Sequence, residues 1–297
     1  MKGIMDNLSF DPNKNLLKKD PSVDVLNEMK RDLRFLPSTI KNPSTLSSNQ
    51  VNEYNQNGYL KGVEIFDRNG IQIIRAFFDK HLLKAQERGL DSYSIMSAHT
   101  KFSDVYDIMC NEKIVGCIQD LIGKDVIGRG SHYFCKLPND GKTVSWHQDA
   151  SYWPLSPSKT VTAWLAIDDT DQANGCMRFV EGSHLHGQLK FRSSQEWENN
   201  VLTQTVEDVE KFGKIVDVEL SAGEISIHSD MLLHSSHYNS SNRRRCGLAI
   251  RYCTPDVRCL KDFGWEKDGV LVSGENTGNH WVNNSRPNKE WNGDNLN

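Results

Sequence analysis

Three observations predict a mainly β fold with flanking helices. Behind Lys124 the chain carries a succession of short β-rich runs: VIGRGSHYFCKL, VTAWLAIDD, CMRFVEG, KIVDVEL, EISIH and CGLAIRYC. PNDGK, DQANG, SAGE and NSSN stand between them, and many short strands divided by turn-forming residues describe a sandwich or barrel. Ahead of these runs the patterns are mostly helical, so helices are expected to pack on one side of a β core.

Taken in order, residues 1–50 read as an N-terminal extension. DVLNEMKRDLRFL (24–36) is amphipathic at helical spacing, and the polar linker PSTIKNPSTLSSNQ follows. From Val51, VNEYNQNGYLKGVEIF predicts a short helix stopped at Gly58 and then a strand. DRNGIQIIRAFFDKHLLKAQERG predicts a longer helix closed by glycine, and DVYDIMCNEKIVGCIQDLIG two shorter ones. With the β runs these make one domain over 51–275. Residues 276–297 are rich in asparagine and expected to be irregular.

The net charge of −4, with both signs interspersed, gives no field for gripping nucleic acid or a membrane surface. MKGIMDNLSF has no apolar run behind its lysine, and no stretch approaches the roughly 18 apolar residues of a membrane span. The seven cysteines are odd in number and contain no C-x-x-C. They read as reduced thiols, and the chain as a cytoplasmic protein acting on a small molecule.

Two H-x-D pairs compete as metal ligands, His147-Gln-Asp149 and His228-Ser-Asp230. On a strand, residues i and i+2 point the same way, so either pair can aim an imidazole and a carboxylate at one point. An H-x-D alone is a common coincidence, but SWHQDASYWP surrounds the first pair with aromatic bulk and a partly dry pocket. With one remote histidine it would complete the 2-His-1-carboxylate triad of non-haem iron(II) oxygenases. His228 and His234 are about 20 Å apart if the chain between them is extended, so both reach one metal only through a bend. The arginine run behind His234 suits a carboxylate clamp, because a guanidinium fork makes two charge-assisted bonds to a carboxylate. Gly128-Arg-Gly130 lacks the third glycine of a dinucleotide loop, and H-E-x-x-H, G-x-S-x-G and Walker A sequences are absent.

WHQDASYW, VTAWLAIDD, NGCMRFVEGSH and HSS..NSSNRRRCGLAIRY, in this order and spacing, resemble the phytanoyl-CoA dioxygenase family of Fe(II)/2-oxoglutarate-dependent oxygenases over roughly residues 50–275. The bacterial small-molecule branch is the nearest likeness. The resemblance implies a double-stranded β-helix (jelly roll, cupin-like) in which His147, Asp149 and His234 bind Fe(II). It places the 2-oxoglutarate clamp at Arg245, eleven residues after the distal histidine, with Ser236, Trp164 and His132 as further co-substrate contacts. His99, His237 and Trp153 are substrate-contact candidates. His234-Ser-Ser-His237-Tyr-Asn239 replaces the H-G-S-G-P-N that related sequences often carry, so that loop does not transfer a substrate. O2 is the second co-substrate, and succinate and CO2 are the by-products. A carboxylate at Asp149 argues for hydroxylation of an unactivated C–H bond, or desaturation or ring closure, because halogenating relatives have a small residue there.

Arg243 and Arg244 are expected to face solvent or neighbouring acids, His228 and Asp230 to be structural, and His184 and His186 to be loop residues. The polar loop His184–Arg192, with Ser235 and His237, favours a small polar metabolite as substrate. Two rivals remain: a metal-binding jelly-roll sensor or scaffold without turnover, and a Zn- or Mn-dependent isomerase or lyase, which would have no use for Arg245.

Overall fold

The computed structural model describes residues 21–260 and 263–288. Ten of its strands build the core: β1 (Tyr59–Glu64), β2 (Val126–Lys136), β3 (Val144–His147), β4 (Thr160–Ala166), β5 (Met177–Val180), β6 (Ile215–Val218), β7 (Glu224–Ser229), β8 (His234–Ser236), β9 (Arg245–Cys253) and β10 (Val270–Ser273). They form a six-stranded sheet in the order β1-β7-β4-β9-β2-β10 and a four-stranded sheet in the order β3-β8-β5-β6. Every pairing is antiparallel. Two-residue ribbons, 155–156 with 258–259 and 192–193 with 204–205, flank them. This is the expected jelly roll.

Strand alternation sorts the side chains into layers. Outward-facing Val161, Ala163, Leu165, Ile225, Ile227, Leu248 and Ile250 pack against helices on the convex side of the larger sheet. Those helices are contributed by α2 (Ser48–Asn57), α3 (Arg68–Glu87), α4 (Ser103–Met109) and α5 (Glu112–Ile122), following a short α1 (Val23–Glu28). Inward-facing Trp164, Ala166 and Ala249 meet Met177, Phe179 and Val218 of the smaller sheet. Strand β4 is covered on both faces, which explains why all seven of its residues are buried and why it reads as a nearly continuous apolar run.

The helix limits follow their caps. Ser47 and Gln50 form a capping box at the start of α2, and Gly58, at φ 86°, ends it in the left-handed conformation. Asp67 caps α3 through the Gly70 amide. The helix expected over 24–36 is shorter, since α1 stops at Glu28. Beyond it the Arg31 guanidinium donates to the carbonyls of Ala150 (2.8 Å) and Trp153 (2.9 Å), and the Asp32 amide donates to Ser156 Oγ. Those tertiary bonds require an extended path, and they outweigh a weak helical preference. The following linker is anchored as well. The buried Asp120 carboxylate on α5 accepts from the amides of Ser44, Thr45 and Leu46 at 2.7–3.0 Å. Residues 1–20 of the expected extension lie outside the described residues. Of the tail, 276–288 carry no helix or strand and 289–297 lie outside the described residues.

Asp120→Ala would orphan those three amides. It is expected to cost about 3 kcal/mol of stability, which a thermal melt would read as a fall in Tm of roughly 2–4 °C per kcal/mol.

Candidate active site

Three elements bring the triad together. Strand β3 ends on His147, and Asp149 opens a single helical turn, α6 (Asp149–Tyr152). The pair therefore straddles a strand–helix junction and does not share a strand as the spacing suggested. Gln148 keeps extended backbone angles, φ −108° and ψ 130°, so the two side chains still leave on one side. Its buried amide pins the junction by donating to the carbonyls of Gly187 and Met231 and accepting from the Leu189 amide. His234 opens β8 directly opposite His147 in the antiparallel register. The two imidazole centroids are 4.0 Å apart.

One ligand atom from each of His147, Asp149 and His234 lies within 4.8 Å of the others, and all three residues are buried. Each histidine Nδ1 is bonded to the carbonyl two residues earlier, His147 to Ser145 at 2.8 Å and His234 to Leu232 at 3.0 Å. A carbonyl only accepts, so Nδ1 carries the proton in both rings and Nε2 keeps its lone pair. Burial, then the neighbouring His147 and His228 imidazoles, hold His234 well below the usual histidine range, so it stays neutral. Burial alone would raise the Asp149 carboxyl, but the facing His147 and the Arg251 charge outweigh it and keep the carboxylate ionised. Thr162 Oγ1 donates to Asp149 Oδ2 at 3.1 Å. Two imidazoles that turn Nε2 to one point, with an ionised carboxylate beside them, form the donor set that a divalent iron requires.

Arg245 is fully buried on β9 and lines the same cavity. Its Nε and Nη2 donate to the Gly175 carbonyl (2.9 and 2.6 Å), and its guanidinium lies 5.5 Å from the Trp164 ring. No carboxylate among the described residues pairs with it. Gly175 is at φ 77°, and a side chain there would strike the His237 carbonyl at 2.6 Å, so glycine is needed at the arginine's anchor. Arg243 and Arg244, by contrast, are matched to acids as expected, Arg243 to Asp171 and Arg244 to Asp168 and Asp79.

Trp164 and Ser236 also line the cavity, and Ser236 Oγ is buried without a partner. His132 is buried behind the wall, bonded to the Tyr93 carbonyl at 2.7 Å and packed on the Phe134 ring at 4.1 Å. Both His99 nitrogens are engaged, by Ser131 Oγ and the Asp268 carbonyl. His237 is exposed and meets Arg178 at 2.6 Å, outside the cavity. Trp153 is buried and faces Arg129 and Arg251. His184, bonded to the Asn55 carbonyl, and His186 sit in a loop as expected.

His228 was expected to be structural, and the structure places it in the cavity wall. It is a strand residue on the inner face of β7, it lines the cavity, and neither ring nitrogen has a partner. The bend that the spacing required exists: Leu232 bonds back to the Ser229 carbonyl, and the His228 and His234 rings come within 4.7 Å. His228 Nε2 is 3.9 Å from Asp149 Oδ2. Alternation along EISIHS was the available signal for its direction. Asp230, just past the strand, accepts from Ser158 Oγ at 2.6 Å.

Fold and site together define a jelly-roll oxygenase that uses Fe(II) and 2-oxoglutarate. A profile of the family described as phytanoyl-CoA dioxygenase (PhyH) matches residues 54–247, and the chain belongs to that family. Mouse peroxisomal phytanoyl-CoA dioxygenase is 22% identical over 251 residues, 76% of this chain and 74% of that protein. A probable alpha-ketoglutarate-dependent hypophosphite dioxygenase of Stutzerimonas stutzeri is 26% identical over 191 residues, 62% and 65% of the two chains. Among solved structures, the non-heme monooxygenase ThoJ in its apo form superposes with a TM-score of 0.69 at 27% identity, covering 81% of this chain and 89% of that one. No helix among the described residues is long and apolar enough to cross a membrane.

Burial lifts the Asp230 carboxyl from 3.8 to about 7, despite the Ser158 bond and the Arg129 charge. A raised folded-state value means this group favours folding fully below about pH 4 and loses that contribution as pH climbs through about 7. Asp230→Asn is therefore expected to lose less Tm than the parent between pH 5 and 8, measured on the apoprotein.

Proposed function

We propose that the protein hydroxylates an unactivated C–H bond of a small polar metabolite, with His147, Asp149 and His234 holding iron and Arg245 clamping the far carboxylate of 2-oxoglutarate. The observation that carries the reading is Arg245. A buried guanidinium without a carboxylate partner, facing a cavity that holds three imidazoles and a carboxylate, is costly unless a ligand anion completes it. The bound iron, with 2-oxoglutarate and O2, supplies the oxidant that breaks the C–H bond, and succinate and CO2 are released.

The chain supplies placement and dryness. Backbone carbonyls fix both imidazoles with Nε2 turned to the centre, and Thr162 steadies the carboxylate. Ser236 and Trp164 flank the clamp, and His132 positions Phe134 from behind the wall. Val144, Met177 and Phe134 keep bulk water from the reacting centre. An intact carboxylate at Asp149 favours hydroxylation over halogenation. His228, Thr162, Ser235 and Arg251 on the wall support a polar substrate, and Trp153, beside Arg251, is retained as a contact. His99 drops out of the substrate set because both its nitrogens are engaged elsewhere, and His237 because it lies outside the cavity with Nε2 on Arg178. All seven cysteines are free thiols, which supports a cytoplasmic setting. We keep 51–275 as the catalytic domain and 1–50 as an N-terminal extension, of which Arg31, Asp32 and 44–46 are hydrogen-bonded to that domain.

Anaerobic titration of the Fe(II)-loaded protein with 2-oxoglutarate is expected to raise the weak visible charge-transfer band of a chelated keto acid. Arg245→Ala is expected to weaken 2-oxoglutarate binding by at least tenfold. Iron bound with no band would leave a metal-binding jelly roll that does not take the keto acid. Asp149→Ala is expected to abolish hydroxylation, and full activity in that variant would remove the triad assignment.

A further inference from the structure

Arg251 lines the cavity beyond the triad, away from Arg245, and a second guanidinium, that of Arg129, shares the Trp153 ring with it. Arg251 lies on β9 six residues after Arg245, on the same face, about 20 Å further along the strand. Arg129 reaches it through a β-bulge. Arg251 pairs with Gly130 and Tyr252 with Gly128, so Arg129 is the extra residue on β2 and shares the inner side with Gly130. Its guanidinium stacks 3.7 Å over the Trp153 ring, and the Arg251 guanidinium lies 5.5 Å from the same ring. Trp265 closes the other side, 5.8 Å from Arg129.

Neither arginine forms an ion pair among the described residues, although the Arg251 charge is felt at Asp149 and the Arg129 charge at Asp230. Arg129 is only 6% exposed, yet its Nε and Nη2 are buried without a partner, as is Arg251 Nε. No ion pair or side-chain hydrogen bond engages either among the described residues. The nearby carboxylates are otherwise committed, Asp149 to the metal triad and Asp230 to Ser158. Beside the pair there is room, because a side chain at Gly130 would meet nothing within 4 Å. Two cations crowded at one indole repel each other, which tells against a purely structural role. An anion between them would satisfy both sets of N–H donors.

We propose that Arg129 and Arg251, walled by Trp153, form an oxyanion subsite that holds a carboxylate, phosphate or sulfonate group of the substrate. The metabolite is then an anion, anchored by this group while another part lies over the metal. The inference rests on the cavity being the oxygenase active site.

The test is calorimetric titration of sulfate, and separately acetate, into protein loaded anaerobically with Fe(II) and 2-oxoglutarate, at ionic strength held constant with chloride. Loading keeps Arg245 occupied, and the charge-transfer band of the same sample reports the oxygenase reading on its own. The expected result is saturable binding of at least one anion, weakened at least tenfold by Arg251→Met and by Arg129→Met and largely restored by Arg251→Lys. Arg251 is only partly buried, so its variants stay informative if Arg129→Met fails to fold. A normal band with no saturable binding of either anion, or with binding unchanged in the Arg251→Met protein, overturns the subsite. A missing band overturns the oxygenase reading instead, and the same variants still decide whether the anion binds here.

Discussion

The antiparallel pairing of His147 with His234 across β3 and β8 is the constraint on which the rest of the site depends. Directly opposite residues on neighbouring strands place their Cβ atoms about 5 Å apart on one face. Two imidazoles so paired cannot avoid each other, and the carbonyl bonds at their Nδ1 atoms leave only Nε2 to point at the centre. A slip of one residue in β8 would send His234 to the opposite face and break its pairing with His147. The short strands are secured by what surrounds them. Gln148 locks the junction that delivers Asp149, and Leu233 and Val180 bury the far face of the smaller sheet.

The same alternation decided what could be read from the sequence. β9 is written R-C-G-L-A-I-R, and its outward Cys246, Leu248 and Ile250 fall into the helical core as a period of two requires. The end of α2 and the start of α3 were legible because Gly58 and Asp67 carry their own capping chemistry, whereas the Ser47–Gln50 capping box lies in the expected linker and α2 begins at Ser48, ahead of the expected Val51. The segment after Glu28 was not, because its path is set by carbonyls of Ala150 and Trp153, more than a hundred residues away. The place of His228 in the cavity was missed for a related reason. Alternation along EISIHS could give its direction, but its nearness to His234 depends on a bend whose closure no residue type announces. Arg129 was hidden more deeply, since a bulge breaks the period on which such a reading rests.

The arginines illustrate how charge separates structural from chemical roles. Arg243 and Arg244 sit at the edge with carboxylates at hand, and pairs of that kind contribute roughly 0–1 kcal/mol when exposed. Arg245, Arg129 and Arg251 face inward without such partners. Burying a cation costs several kcal/mol unless it is compensated. Carbonyls and indole faces offset part of that cost: the Gly175 carbonyl for Arg245, and the Trp153 ring for the other two. The remainder is left for a ligand, and the free protein is less stable for it.

One strand face therefore sets the layout of the chemistry. Inward along β9 the residues run Arg245, Gly247, Ala249, Arg251, two large cations separated by two small residues. The gap is necessary. Trp164 occupies the space over Gly247 so closely that a side chain there would fall within 1.9 Å of its ring. Ala249 leaves the floor low beneath the triad. A larger residue at either position would push the indole or fill the volume in which co-substrate and substrate must meet. A co-substrate anion held at one end of the strand and a substrate anion held at the other would approach the metal from opposite sides. Their separation is fixed by strand geometry alone, at about 3.3 Å per residue. Regioselectivity then depends on the distance between the substrate's anion and its reacting carbon.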